Sequence, residues 1–94
     1  MVKNDDSKVF IGKKSAMDYV MAAIIVLSKE PVRILARGRS ISRAVDVAEI
    51  LRHKFFKGSE YGEILISTET FNNTDGTNSN VSSIEIELIP PPKK

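Results

Sequence analysis

The chain has 94 residues, of which 41% are hydrophobic, 28% are charged and none is cysteine. This length and composition fit one globular domain, and the lack of cysteine excludes disulfides and thiolate metal sites. The formal net charge of +2 is too small to establish a polyanionic partner by itself.

The N-terminal residues and the apolar runs indicate where in the cell the protein is expected. The residues that follow Met1 are polar and lack the apolar segment of a secretory signal peptide. The longest apolar run, residues 20–27, is far shorter than the ~20 residues that a membrane-spanning helix requires. We therefore expect a cytoplasmic protein without membrane contact. It should have a flexible N-terminal tail over residues 1–7, one domain over residues 8–90 and a C-terminal tail over residues 91–94.

The first strand and the first helix are predicted close to the N-terminus. The apolar run at residues 9–11 predicts a short strand. Ser15 followed three residues later by the acidic Asp18 is typical of a capping box, in which the serine caps the start of a helix. The helix is expected to end at Leu27 or Ser28, because a proline follows shortly afterwards.

A second strand and a second helix follow in the same order. Residues 32–36 form another apolar run and predict the strand. Serine is a residue type that favours the helix N-cap, so Ser40 is predicted to cap a helix that runs from Ile41 to about Phe55. This helix is expected to stop near Gly58.

The remaining residues predict a hairpin. Residues 61–71 and 81–89 predict two strands, joined by a long and mobile loop over residues 72–80 with Asp75-Gly76 as its turn. The order β-α-β-α-β-β predicts a two-layer α/β sandwich with a four-stranded mixed sheet. Strands one to three should run parallel through right-handed crossovers, and strand four should return antiparallel.

Two basic loops are expected to meet at one edge of this sheet. The C-terminal ends of parallel strands share an edge, so Gly12-Lys13-Lys14-Ser15 should lie beside Arg37-Gly38-Arg39-Ser40, with the hairpin tip projecting nearby. Each loop opens a helix, whose free N–H groups and partial positive charge suit phosphate. The two glycines allow the backbone to approach a phosphate without a Cβ in the way, and Arg43 extends the basic patch.

The charge distribution agrees with such a site. Residues 1–57 carry 12 Lys/Arg and 6 Asp/Glu, whereas residues 58–92 carry six acidic residues and no basic one. Ordinary solvated surface charge is the alternative interpretation. Four cations beside two positive helix ends are unfavourable unless an anion binds, which favours a binding site.

No catalytic site is predicted. The glycine-lysine loop is not a P-loop, because that motif requires a glycine where Ser7 stands and Ser or Thr where Lys14 stands. The one histidine, His53, follows Glu49 by four residues and is expected to pair with it on helix two, beside Asp46. We therefore expect no enzymatic activity, no metal site and no cofactor.

Both helices carry more apolar surface than a monomer of this size can cover. From residue 16 to residue 27 only Asp18 and Tyr19 are polar, so helix one needs cover on more than one side. Self-association explains this pattern better than a larger monomer core, so a dimer is expected. Phe55 and Phe56 are open to three interpretations: core packing, a dimer contact or a platform for a base. Packing in the core or in the dimer is favoured over the base platform.

Three parts of the chain match one known family. They are Ile11 to Lys14 with Tyr19-Val20, then Ala36 to Asp46, and finally Asp75-Gly76 with Val81 to Ile86. This pattern resembles the Alba family of archaeal chromatin proteins over residues 8–90. The resemblance implies a homodimer with the fold of the C-terminal domain of a bacterial translation initiation factor. It also implies binding of double-stranded DNA and of RNA without regard to sequence.

The resemblance further implies roles for individual residues. Nucleic-acid contacts would be made by Lys13, Lys14, Arg37, Gly38, Arg39 and Arg43. Acetylation of Lys13 by an acetylase, reversed by a deacetylase, would weaken binding. Phe55 would mediate contacts between dimers along DNA.

The hairpin departs from the family pattern. Family members often carry arginines there, on an arm that enters the minor groove, but this chain has no Lys or Arg from Ser59 to Pro92. Asn78 and Asn80 remain as hydrogen-bonding candidates. The leading hypothesis is a chromosome-associated DNA-packaging protein, and the alternative is an RNA-dedicated protein such as a subunit of the ribonuclease P type. The sequence does not separate these two, nor a homodimer from a heterodimer with a paralogue, because phosphate contacts do not identify the polymer.

Overall fold

A computed structural model describes residues 7–92 of the protein. In chain order the elements are β1 (Lys8–Phe10), α1 (Ala16–Leu27), β2 (Val32–Arg37), a 3₁₀ turn (Gly38–Ser40), α2 (Ile41–Ile50), a π-helical turn (Leu51–Phe55), β3 (Glu60–Asn72) and β4 (Asn78–Ile89). This is the predicted β-α-β-α-β-β order. Of the two predicted tails, residues 1–6 and 93–94 lie outside the described residues. The carbonyl of Ser7 accepts a hydrogen bond from the backbone N–H of Arg33 at 2.8 Å, which joins Ser7 to the sheet.

The sheet has the strand order β1-β2-β4-β3. β1 pairs parallel with β2, and β4 pairs antiparallel with both β2 and β3. The predicted four-stranded mixed sheet and the predicted strand directions are therefore confirmed. β4 lies between β2 and β3, so β3 forms an edge of the sheet and has only an antiparallel neighbour.

A single apolar core lies between the two helices and one face of the sheet. The largest side chains that are fully removed from solvent are Leu27, Ile34, Leu51, Leu88, Val20, Val32 and Val47. Full burial of one such side chain stabilises the fold by roughly 1.5–3 kcal/mol. These contacts fix the positions of both helices on the sheet, and with them the loops that open each helix.

Helix α1 begins and ends where the sequence predicts. Ser15 has an extended backbone, and its Oγ accepts from the backbone N–H of Asp18 at 3.4 Å. The helix buries Val20, Ala23 and Leu27 against the core, whereas the opposite side exposes Met17, Met21 and Ile25. Within residues 7–92, neither this helix nor any other has both the length and the apolar character to cross a membrane.

Helix α2 starts at Ile41 as predicted, with Ser40 in the N-cap position. Ser40 nevertheless has the helical angles φ −81° and ψ −6°, and its side chain forms no capping hydrogen bond. The 3₁₀ turn over residues 38–40 starts helical hydrogen bonding immediately after β2, because Gly38 adopts a φ of +57° and reverses the chain there. The predicted end at Phe55 is correct, although the last turn is π-helical.

The hairpin loop is shorter than predicted. The expected loop over residues 72–80 shrinks to residues 73–77, because β3 and β4 stay paired as far as Asn72 and Asn78. The turn is closed by a hydrogen bond from the backbone N–H of Asn73 to the carbonyl of Thr77, at 2.8 Å. The predicted length of the loop was therefore wrong.

The acidic residues of the second half of the chain surround an arginine on the sheet face that the helices leave open. Arg33 forms ion pairs with Glu63, Glu85 and Glu87 across β2, β4 and β3. The hydrogen bond from Arg33 to Glu85 is the main cause that raises the pKa of the guanidinium above its ordinary value. Much of the acidic charge is therefore partnered on this face.

Candidate nucleic-acid interface

Three segments that are distant in sequence meet at one edge of the sheet. The lysine loop (residues 11–15) leaves β1, and the arginine turn (residues 37–40) leaves β2. The pairing of β2 with β4 ends at Arg37 and Ser83, but β3 and β4 continue to pair for five further positions. This outer ribbon, residues 68–82, is called the arm. It projects about 17 Å beyond the sheet at ~3.4 Å per residue.

The lysine loop is held by side chains from both helices. The hydroxyl oxygen of Tyr19 accepts from the backbone N–H of Gly12 at 2.8 Å and from that of Lys14 at 3.0 Å. From helix α2, Nη1 of Arg43 donates to the carbonyl of Gly12 at 2.9 Å. The side chains of Lys13 and Lys14 are exposed. Arg43, a predicted contact residue, therefore also connects helix α2 to the lysine loop.

The role of Tyr19 was missed by sequence reasoning. The available signal was a single tyrosine among apolar residues, one turn into a helix that follows a glycine-lysine loop. Gly12 was predicted to be glycine so that the backbone could approach a phosphate. In the structure a Cβ at Gly12 would lie 3.1 Å from the Tyr19 hydroxyl oxygen, closer than ordinary van der Waals contact.

The arginine turn contacts the base of the arm. Gly38 needs its left-handed φ of +57°, and a Cβ there would lie 3.4 Å from Cγ1 of Val81. Arg37 forms an ion pair with Glu69 at 2.8 Å and stacks over the ring of Phe71 at 5.4 Å from its centroid. Both partners of the ion pair are substantially exposed, and such pairs contribute at most about 1 kcal/mol. Arg37 is therefore partly engaged by the arm but weakly enough to be released to a stronger anion.

Three of the predicted binding cations are exposed and have no acidic partner among the described residues. Within residues 7–92, Lys13, Lys14 and Arg39 form no ion pair, and all three are exposed. They lie where helices α1 and α2 begin, with Ser15 and the 3₁₀ turn as the starting points. Helix starts carry partial positive charge, so this edge is an electrostatically favourable position for an anion such as phosphate.

The arm presents polar side chains instead of positive charge. Oγ1 of Thr70 donates to Oδ1 of Asn80 at 2.9 Å, and Asn80 is exposed. Asn78 closes the paired region opposite Asn72 and is exposed. The two predicted asparagines thus lie on the same side of β4, on the arm rather than in a loop.

The tip of the arm is fixed by its own hydrogen bonds. Nδ2 of Asn73 donates to Oγ1 of Thr77 at 2.9 Å and to Oγ of Ser79 at 3.0 Å. Asp75 accepts from the hydroxyl and the backbone N–H of Thr77, and these bonds hold the pKa of Asp75 below its ordinary value. The tip therefore carries a negative charge near neutral pH and does not favour phosphate.

The two phenylalanines at the end of helix α2 have different environments. Phe56 packs against the core, whereas Phe55 is 45% exposed. Both lie at the C-terminal end of the helix, at the opposite end from the arginine turn that begins it. Phe55 is therefore free for contact with another molecule, but at a distance from the basic edge.

The remaining titratable cluster forms internal pairs. Glu49 pairs with His53 at 2.9 Å, as the sequence predicts, and it also pairs with Arg52 at 3.5 Å and accepts a hydrogen bond from the Tyr61 hydroxyl. Burial, with the Glu49 hydrogen bond second, raises the pKa of Tyr61 to about 12. Among residues 7–92, no group of three His, Cys, Asp or Glu side chains is arranged to hold a metal ion.

Comparison with known proteins gives one consistent family. A model of the Alba family matches residues 7–68. DNA/RNA-binding protein Alba from Thermoplasma volcanium is 48% identical over 86 residues, which cover 89% of this chain and 96% of the relative. DNA/RNA-binding protein Alba from Methanothrix thermoacetophila is 50% identical over 86 residues with the same coverage. The solved structure of Alba from Thermoplasma volcanium matches with a TM-score of 0.80 at 49% identity, covering 87% of this chain and 98% of that one.

Proposed function

This chain belongs to the Alba family, and we propose that it binds double-stranded DNA and RNA without regard to sequence and packages chromosomal DNA. The observation that carries the proposal is the edge where Lys13, Lys14 and Arg39, which form no ion pair within residues 7–92, lie exposed beside two helix starts. Relatives that cover most of this chain are named DNA/RNA-binding proteins, which supports both polymers as partners. A protein with this role acts on the chromosome in the cytoplasm.

The proposed contacts are made to phosphates. Lys13, Lys14, Arg37, Arg39 and Arg43 supply the cations, and Gly38 allows the turn that presents two of them. Contacts to phosphate fix a protein on the duplex without conveying sequence, which is the reason for proposing sequence independence. Asn78 and Asn80 add uncharged hydrogen bonds from the arm.

A homodimer is part of the proposal. Ile64 and Ile66 on edge strand β3 point to the same side as the helices, but the helices do not reach them, and they are 48% and 76% exposed. Val45 of helix α2 is also exposed. Apolar surface of this kind is uncommon on a soluble monomer and is covered in an assembly. A second copy that packs its own β3 and α2 against this patch would bury it on both chains.

A second exposed apolar surface supports assembly beyond the dimer. Met17, Met21 and Ile25 are spaced four residues apart on α1 and are exposed on one side of it. Phe55 is exposed at the end of helix α2. We assign these residues to contacts between dimers bound side by side on DNA.

The proposal is tested by salt-titrated binding to DNA and RNA duplexes of equal length and unrelated sequences. Comparable affinities, with log affinity falling linearly with log salt on every duplex, are expected if phosphate contacts dominate. Binding to RNA alone would instead identify an RNA-dedicated protein, and no binding to either polymer would refute the proposal. Acetylation of Lys13 should make the slope shallower, because it removes one charge from each subunit.

A further inference from the structure

Both backbone polar groups of Gly12 in the lysine loop, its N–H and its carbonyl, are hydrogen-bonded to side chains. Its N–H donates to the hydroxyl oxygen of Tyr19 at 2.8 Å, and its carbonyl accepts from Arg43 at 2.9 Å. Tyr19 also accepts from the backbone N–H of Lys14 at 3.0 Å, so one phenol oxygen contacts the residues on either side of Lys13. The conformation of the lysine loop therefore depends on the position of the Tyr19 hydroxyl.

The same hydroxyl limits which residue can stand at position 12. The φ of Gly12 lies outside the left-handed region, so its backbone conformation alone does not require glycine. A Cβ built there would meet the Tyr19 hydroxyl oxygen at 3.1 Å, and no other atom lies within 4 Å apart from its immediate neighbours. The steric reason for glycine in this structure is the tyrosine.

We propose that Tyr19 is a positioning residue for nucleic-acid binding: its hydroxyl fixes the lysine loop in the conformation that presents Lys13 and Lys14, and it is the reason that Gly12 is glycine. This inference rests on the proposed function, in which the lysine loop contacts phosphate. Tyr19 carries no charge to the ligand. It acts by keeping an exposed loop in one conformation before the ligand arrives, so that binding does not have to order it.

The first experiment compares Tyr19→Phe with Tyr61→Phe. Both variants remove one phenolic hydroxyl that is hydrogen-bonded in the structure, but the Tyr61 hydroxyl bonds Glu49, away from the basic edge. Tyr19→Phe should weaken binding to a DNA duplex by about tenfold at every salt concentration, the equivalent of one to two lost hydrogen bonds. The slope of log affinity against log salt should stay the same, because no cation is removed.

Two readouts separate positioning from a general loss of stability. Amide hydrogen exchange at Gly12 and Lys14 should become faster in Tyr19→Phe, while exchange in β2 and β4 stays at the wild-type rate. Tyr61→Phe should leave affinity unchanged whatever it does to the melting temperature. Equal losses of affinity in both variants, or unchanged affinity in Tyr19→Phe, would overturn the proposal.

The second experiment is a double-mutant cycle between Tyr19 and Gly12. Gly12→Ala should weaken DNA binding severalfold in the wild-type background, because the added methyl group displaces the hydroxyl. In the Tyr19→Phe background the same change should have almost no effect, since the obstructing oxygen is gone. If Gly12→Ala is equally costly in both backgrounds, the methyl group obstructs the phosphate itself, and the steric part of the proposal fails.

Different results would refute the phosphate contact of the lysine loop and the positioning role of Tyr19. If replacing Lys13 and Lys14 with alanine leaves the salt slope unchanged, the proposed phosphate contact is wrong. If that replacement makes the slope shallower but Tyr19→Phe binds like wild type, the contact stands and the role of Tyr19 is refuted.

Discussion

Replacing Lys13 and Lys14 with alanine should reduce the salt dependence of DNA binding. Both side chains are exposed, and among residues 7–92 neither has an acidic partner that would already neutralise it. Each phosphate contact on B-DNA contributes a slope of about −0.9 in log affinity against log salt. A dimer loses up to about four contacts, so the slope should become shallower by up to about 3.6.

This change of slope corresponds to a large effect on affinity. Over a roughly fourfold rise in salt, wild type should lose up to about a hundredfold more affinity than the double variant. Fluorescence anisotropy with a labelled duplex measures this directly, and a second duplex of unrelated sequence should give the same slope. A difference between the sequences would show that base contacts contribute.

A matched control removes the same charge from the other end of the molecule. Lys54 and Lys57 are exposed near the C-terminal end of helix two, away from the edge where the arm projects. Replacing both with alanine should leave the slope close to wild type. If this control alters the slope as much as the change at Lys13 and Lys14, the effect reflects net charge and the assignment of the basic edge is wrong. The same conclusion follows if neutral changes at Thr77 or Asn80 alter the slope more than the lysine change does.

The further predictions concern assembly and pH. Ile66→Asp should convert the dimer into a monomer of 10.4 kDa, as measured by light scattering. Phe55→Ala should leave the dimer intact and reduce only higher-order assembly on DNA. If Phe55→Ala produces monomers, Phe55 has been assigned to the wrong interface. Tyr61, whose pKa is raised to about 12, should ionise above its ordinary pKa of 10.0 in an ultraviolet titration. The stability that the raised pKa contributes should be fully present below pH 10.0 and should be lost as the pH rises from 10.0 to about 12. Asp75, whose pKa is lowered, should support the turn above its ordinary pKa of 3.8 and release it on further acidification. The release should appear as smaller protection factors of the tip amides, after correction for the intrinsic exchange rate at each pH, and unchanged protection factors would remove that role.

The parts of the fold that follow from local pattern and strand direction could be predicted. Apolar runs bounded by glycine and proline gave the strands, and Ser15 with Asp18 marked the start of α1. The meeting of two basic loops at one edge follows from the parallel pair β1 and β2, which needs no knowledge of side-chain positions. The family resemblance is confirmed by relatives that are 48–50% identical over most of the chain.

The features that were not predicted depend on tertiary contacts that the sequence pattern does not encode. Ser40 is a residue type that favours the N-cap, but the chain reversal at Gly38 starts a 3₁₀ turn three residues before Ile41, and the Ser40 side chain caps nothing. The contact between Tyr19 and Gly12 depends on the exact path of the lysine loop, because a phenol can reach its neighbours in several directions. Arg37 was predicted as a nucleic-acid contact, and its ion pair with Glu69 depends on the position of β4 between β2 and β3, which the sequence pattern does not reveal.

Because the arm is already paired, the conformational entropy of this segment is lost when the chain folds and not when it binds nucleic acid. Residues 72 and 78–80, assigned by sequence to a mobile loop, are already strand residues in the free chain. Fixing the backbone of a residue costs about 1–2 kcal/mol, so ordering these four residues costs roughly 4–8 kcal/mol. That cost falls on folding, where cross-strand hydrogen bonds offset it, and not on the encounter with nucleic acid. An arm without cations can therefore contribute to binding through a few neutral hydrogen bonds, since little of their free energy is spent on immobilising the chain.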